Sequence, residues 1–149
     1  MSVKHGFVMM IQDRWWNQFR LRSQHGKQTH SYVQRGAAPP KNTLKMLFYV
    51  AKPVGQLGGW ADFIERRVGD PAQVWMEFGS ESVLGSREKY DEFVKELEKV
   101  SFIRFRNLQE ASKPMPLSDV LAFLGVRRLS RKGFYVNKET AEKLIALME

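Results

Sequence analysis

The chain has 149 residues, no cysteine, 43% hydrophobic residues and a formal net charge of +8. That length supports one domain, 1–149, with a core of its own, and the lack of cysteine excludes disulfides, a thiolate metal site and a cysteine nucleophile. No apolar run reaches the roughly 20 residues that a bilayer span needs, and the first residues, MSVKHGFVMMIQDRWW, hold no apolar signal core, so a soluble cytoplasmic protein with no membrane partner is expected.

In chain order, Gly6–Ile11 (GFVMMI) reads as a first strand. Asp13 is placed to cap a short helix from Arg14 to about Ser23. On it Trp15 and Phe19, four apart, share a face, which leaves Trp16 and Arg20 on the neighbouring one. His30–Arg35 (HSYVQR) is a strand with Tyr32 and Gln34 opposite Val33 and Arg35. Gly36–Thr43 contains two prolines and is a loop.

Met46–Ala51 is an apolar run too short for a helix, and it reads as a strand buried on both faces. Lys52-Pro53 ends it. A glycine-rich connection leads to a second strand, about Trp60–Arg67, so that the two form a central hairpin. Asp70-Pro71 opens a helix to Gly79. Ser86 opens another, expected over Arg87–Val100, whose Tyr90, Phe93, Val94, Leu97 and Val100 form one apolar stripe. Phe93 and Leu97 are expected in the core.

Ser101–Leu108 is a strand, broken by Lys113-Pro114-Met115-Pro116. A short helix ends at Leu124, closed by Gly125. Arg127, Arg128, Arg131 and Lys132 form a basic cluster before a strand at Phe134–Val136, and Asn137 caps a last helix. Five or six strands with four or five helices, without regular βαβ alternation, predict an α+β fold. Its sheet should be small, mixed and mostly antiparallel, rolled into a partial β-barrel with flanking helices.

The charge is unevenly placed. Residues 1–52 hold nine Lys/Arg against one acid, whereas residues 53–149 hold fifteen of each. A basic first third points to an anionic partner, nucleic acid before a membrane surface.

Four segments resemble the PUA-like superfamily of PUA, ASCH, EVE and YTH domains, and within it an archaeal family of unknown function. They are HSYVQRGAAPPKNT, KMLFYVAKP, GGWADFIERRVG, and the pairing of SREKYDEFV with FIRFRNLQEASKPMPL and KGFYVNKETAEKLI. The resemblance spans roughly residues 30–149. It implies a small β-barrel with a concave surface for RNA or a modified base. Where ASCH domains carry a Gly-x-Lys-x-x-Thr element, this chain has Gly26-Lys27-Gln28-Thr29, one residue out of step.

The residues expected to hold RNA or a modified nucleotide are Trp16, Arg20, Arg22, Lys27, Tyr32, Arg35, Lys41, Asn42, Lys52 and Trp60. Aromatic faces beside cations stack and neutralise single strands. Trp16 is the aromatic expected to be exposed, and Lys41 and Asn42 sit in a proline-held loop. Arg104, in the balanced part of the chain, is expected to lie off the contact surface. A hydrolytic alternative acting on RNA or a modified nucleoside would join Lys27 and Thr29 to a carboxylate from Asp62 or Glu65. His5, His25 and His30 match no metal-binding spacing, and Gly55, Gly58 and Gly59 match no phosphate-loop fingerprint, so neither metal nor cofactor is expected.

Overall fold

A computed structural model describes residues 5–149; Lys4, one of the nine early cations, lies outside them. Six strands, β1 (Gly6–Ile11), β2 (Thr29–Arg35), β3 (Lys45–Val50), β4 (Gln56–Gly69), β5 (Val100–Pro116) and β6 (Phe134–Val136), form one sheet in the order β2-β5-β4-β3-β1-β6. Five helices accompany them: α1 (Asp13–Gln24), α2 (Pro71–Phe78), α3 (Arg87–Phe93), α4 (Leu117–Leu124) and α5 (Lys138–Met148).

The centre is β3, and the alternation of its side chains divides the molecule. Met46, Phe48 and Val50 face one way and join Trp16 and Phe19 of α1. Leu47 and Tyr49 face the other way and join Val120 of α4 with Ala141, Leu144 and Met148 of α5. All five residues from Met46 to Val50 are buried, because helices cover both faces at this strand. Farther along the second face, Val33, Val100 and Phe102 pack under Val74 of α2 and Tyr90 of α3.

The sheet is mixed and mostly antiparallel, since only β1 and β3 run parallel among its neighbouring pairs. It corrects the expected barrel: β2 and β6 are separate edges, and the sheet stays open. Register shifts between Leu57 and Gly59, Trp60 and Asp62, and Phe63 and Glu65 curve β4 against β5. Layers of helix occupy both faces and bury the apolar surface that closure would otherwise enclose.

Two further boundaries differ from the sequence reading. The helix after Ser86 stops at Phe93; Glu96 takes φ 68°, and Val100 already belongs to β5. Leu97 is half-buried beside the core rather than on the helix. Strand β5 runs through Lys113-Pro114-Met115-Pro116 instead of breaking there. Residues 111–114 bulge where Leu57↔Met115 gives way to Gly59↔Glu110, and β2 pairs with β5 only as far as Arg106, so the prolines remove no ladder bond that is needed.

Asp70, Ser86 and Asn137 cap α2, α3 and α5 with side-chain acceptors. Asp13 does not cap α1; it lies in the first turn, with Gln12 as the flanking residue. Gly125 closes α4 at φ 70°. No helix among the described residues is long and apolar enough to cross a membrane.

Candidate nucleic-acid interface

A concavity of about 1130 Å³ lies on the α4–α5 face at the carboxyl ends of the parallel strands β1 and β3. Ligands of open sheets commonly bind at this kind of position. Its floor is apolar: Met10 and Tyr49 from the strands, Leu117 and Leu121 from α4, and Leu129 from the following loop. Its charged residues are Lys52, Arg127, Arg128 and Arg131, and among the described residues no carboxylate lines it.

Local sequence explains the display of these cations. The N–H groups of Gly125 and Val126 both donate to the Leu121 carbonyl, at 2.9 and 3.1 Å, so the chain leaves α4 sharply. At the other end the Gly133 N–H donates to the Ser130 carbonyl (3.1 Å), and Gly133 has φ 81°. A Cβ at Gly133 would lie 2.5 Å from the Phe7 ring and 2.6 Å from the Val8 carbonyl, so only glycine fits. Between these fixed points Leu129 packs against the core, and Arg127, Arg128, Arg131 and Lys132 stay exposed without an ion pair among the described residues.

Two hydroxyls stand beside the cations. Tyr49 is 7% exposed and burial raises its pKa, so its phenol is a donor at neutral pH. The Ser130 hydroxyl accepts from the Lys132 N–H at 3.3 Å, which leaves its own hydrogen to donate elsewhere.

Of the ten residues expected from sequence, Lys52 alone lines this groove. Trp16 is corrected: it is buried, not exposed, because its indole packs on Phe48 (5.1 Å) and over Gly58 and Gly59. Trp15 is the more open of the pair, with Arg14 stacked 4.4 Å above it. Tyr32 is half-buried, edge-on to Phe19, and Trp60 is half-buried against the α4–α5 core.

The early cations are dispersed and partly neutralised. Arg20 pairs with Glu110 at 3.0 Å, and Arg22 donates to the Ser82 carbonyl. Arg35 lies over the Phe93 ring, and Lys27 sits near Glu81. Lys41 and Asn42 are exposed on the loop beside β6, where the Lys41 N–H donates to the Tyr135 hydroxyl at 2.8 Å. The net excess of the first third is therefore not one surface.

Arg104, expected to lie off the contact surface, is a paired cation. Its guanidinium is held by Glu81 at 2.9 and 3.0 Å and by Glu65 at 2.5 Å, and Ser31 also donates to Glu81. Burial pushes the Glu81 carboxyl up, but the bonds from Arg104 and Ser31 outweigh it and hold it below the usual range. The proposed grouping of Lys27 and Thr29 with Asp62 or Glu65 does not form. Asp62 is bonded to Lys45 (2.5 Å) and Asn107 (2.7 Å), and Glu65 to Arg104. Among the described residues no group of three or more His, Asp or Glu side chains could hold a metal ion.

The groove residues were partly visible in the sequence. The four-cation cluster stands out locally, but fifteen acids elsewhere in residues 53–149 cancel it in a regional sum. Tyr49 carries no signal, because it sits in an apolar run that must be buried.

No family model matches the sequence, and no curated protein is similar enough to count as a relative. Solved structures are similar. A serine-to-alanine variant of the ASCH protein of Zymomonas mobilis superimposes with a TM-score of 0.79 at 21% identity, covering 100% of both chains. The unsubstituted Zymomonas mobilis ASCH protein gives 0.77 at 20% identity, covering 98% of this chain and 97% of that one. A tyrosine-to-phenylalanine variant gives 0.75 at 20% identity, over 97% and 99%. The mixed open sheet with its five helices is therefore an ASCH-like fold.

Proposed function

We propose that the chain is a single RNA- or modified-nucleotide-binding module, and that it binds in the groove at the ends of β1 and β3. The observation that carries this reading is the groove's composition: four cations, no carboxylate, and an apolar floor with a protonated phenol. Phosphates meet Lys52, Arg127, Arg128 and Arg131, while base and sugar meet Tyr49 and the leucines. A concave site of this volume suits a folded-in strand better than a flat membrane surface.

The test is a fluorescence titration of single-stranded RNA at three salt concentrations. Arg127→Ala, Arg128→Ala and Arg131→Ala should each weaken binding and reduce the slope of log K against log salt by about 0.7. Arg35→Ala, remote from the groove, should change little. Equal losses from Arg35 and Arg128 would place the contact surface elsewhere.

A second reading, hydrolysis of the bound RNA or nucleoside, has one specific support. In the Zymomonas protein a tyrosine and a serine have been replaced, and that serine lies as far beyond its tyrosine as Ser130 lies beyond Tyr49. Product formation lost in Tyr49→Phe and Ser130→Ala, with RNA binding retained, would establish turnover at this groove.

A further inference from the structure

A second hollow of about 360 Å³ adjoins the groove and shares a wall with it: Arg128, Leu129 and Ser130 line both. The two differ in chemistry. The groove carries Lys52, Arg127 and Arg131 besides the shared Arg128, whereas among the described residues Arg128 is the only cation of the second hollow. Its other walls mix apolar groups, Leu124, Val126 and the Phe134 ring, with the polar Asn137 and Thr140. The Asn137 side-chain oxygen is engaged by the Thr140 N–H at 2.8 Å, which leaves its amide hydrogens and the Thr140 hydroxyl for a ligand.

We infer that this second hollow is a single-base pocket, so that the protein takes a strand of at least two nucleotides rather than a mononucleotide. The inference rests on the groove being the phosphate site. Its volume is at the lower end of the roughly 300–1,000 Å³ of small-ligand pockets, enough for one nucleoside unit. The shared Arg128 stands where the phosphate linking the two units would pass from one chamber to the other, and a hollow that joins the Phe134 ring and apolar walls to amide and hydroxyl groups suits the flat face and polar edge of a base better than a phosphate.

The experiment is competition against labelled RNA by adenosine 5′-monophosphate, by di- and triadenylate, and by a triadenylate with one abasic position. Intact triadenylate should bind about tenfold more tightly than its weakest abasic counterpart, the one lacking the base that enters the hollow, the scale of one stacked base. Phe134→Leu keeps the apolar packing of β6 and removes the ring; Thr140→Val removes only the hydroxyl. Both should weaken triadenylate and leave the monophosphate unchanged, whereas Arg131→Ala should weaken both. If the two substitutions spare triadenylate, or affect the monophosphate equally, the second pocket is refuted while the groove stands. If no nucleotide competes at any length, the groove reading falls and this inference with it.

Discussion

His30 is fully buried, its ring stacked 5.4 Å from Phe105 and edge-on to Phe19. Burial first, then the nearby Lys27 and Arg22, lower its pKa from 6.5 to about 4, against the opposing pull of Glu81. Between these values the unfolded chain binds more protons than the folded one. The contribution to stability is therefore full above pH 6.5 and is lost as pH falls towards 4, on the order of 3 kcal/mol in all. Denaturant unfolding at pH 7, 5.5 and 4.5 should show this decline, and His30→Phe should flatten it. An unchanged slope in that variant would show that His30 does not govern the decline in this window, since the paired carboxylates Glu81, Asp62 and Glu110, with lowered pKa values, lose their contribution only at lower pH. Trp16 teaches a related lesson about legibility. Its place one residue from Trp15 suggested the open face of α1, but the bare backbone of Gly58 and Gly59 offers the indole a close seat that helix spacing alone does not reveal.

Among the elements, β3 was readable because a six-residue apolar run has no other economical use, and the caps Asp70, Ser86 and Asn137 were readable because each supplies an acceptor just before a helical pattern. The end of α3 was not. Val94, Leu97 and Val100 keep helical spacing while the backbone turns at Glu96, so one apolar stripe serves a helix, a turn and a strand. The anchor of this region is Tyr90, fully buried, stacked 4.4 Å from Trp75, with its hydroxyl donating to the Pro71 carbonyl at 2.6 Å. Tyr90→Phe should cost about 1 kcal/mol through that bond, and Tyr90→Ala about 3–5 kcal/mol through the cavity. Equal costs for the two in chemical denaturation would show that the hydroxyl, not the ring, ties α3 to α2.

For the whole molecule, the α+β class and the mixed sheet followed from the count and order of elements. Closure did not, because it depends on whether β2 and β6 meet, and no local pattern encodes that. Charge behaved likewise. The early excess is spread over several faces and partly paired, while the loop between Gly125 and Gly133 gathers Arg127, Arg128 and Arg131 at the groove with Lys52. The central claim is that this groove receives the nucleic acid. Photocrosslinking of single-stranded RNA carrying 4-thiouridine, with the attached peptides identified by mass spectrometry, tests it most directly. Crosslinks should fall on residues 49–52 and 117–136; crosslinks confined to α1 and β2 would contradict the account.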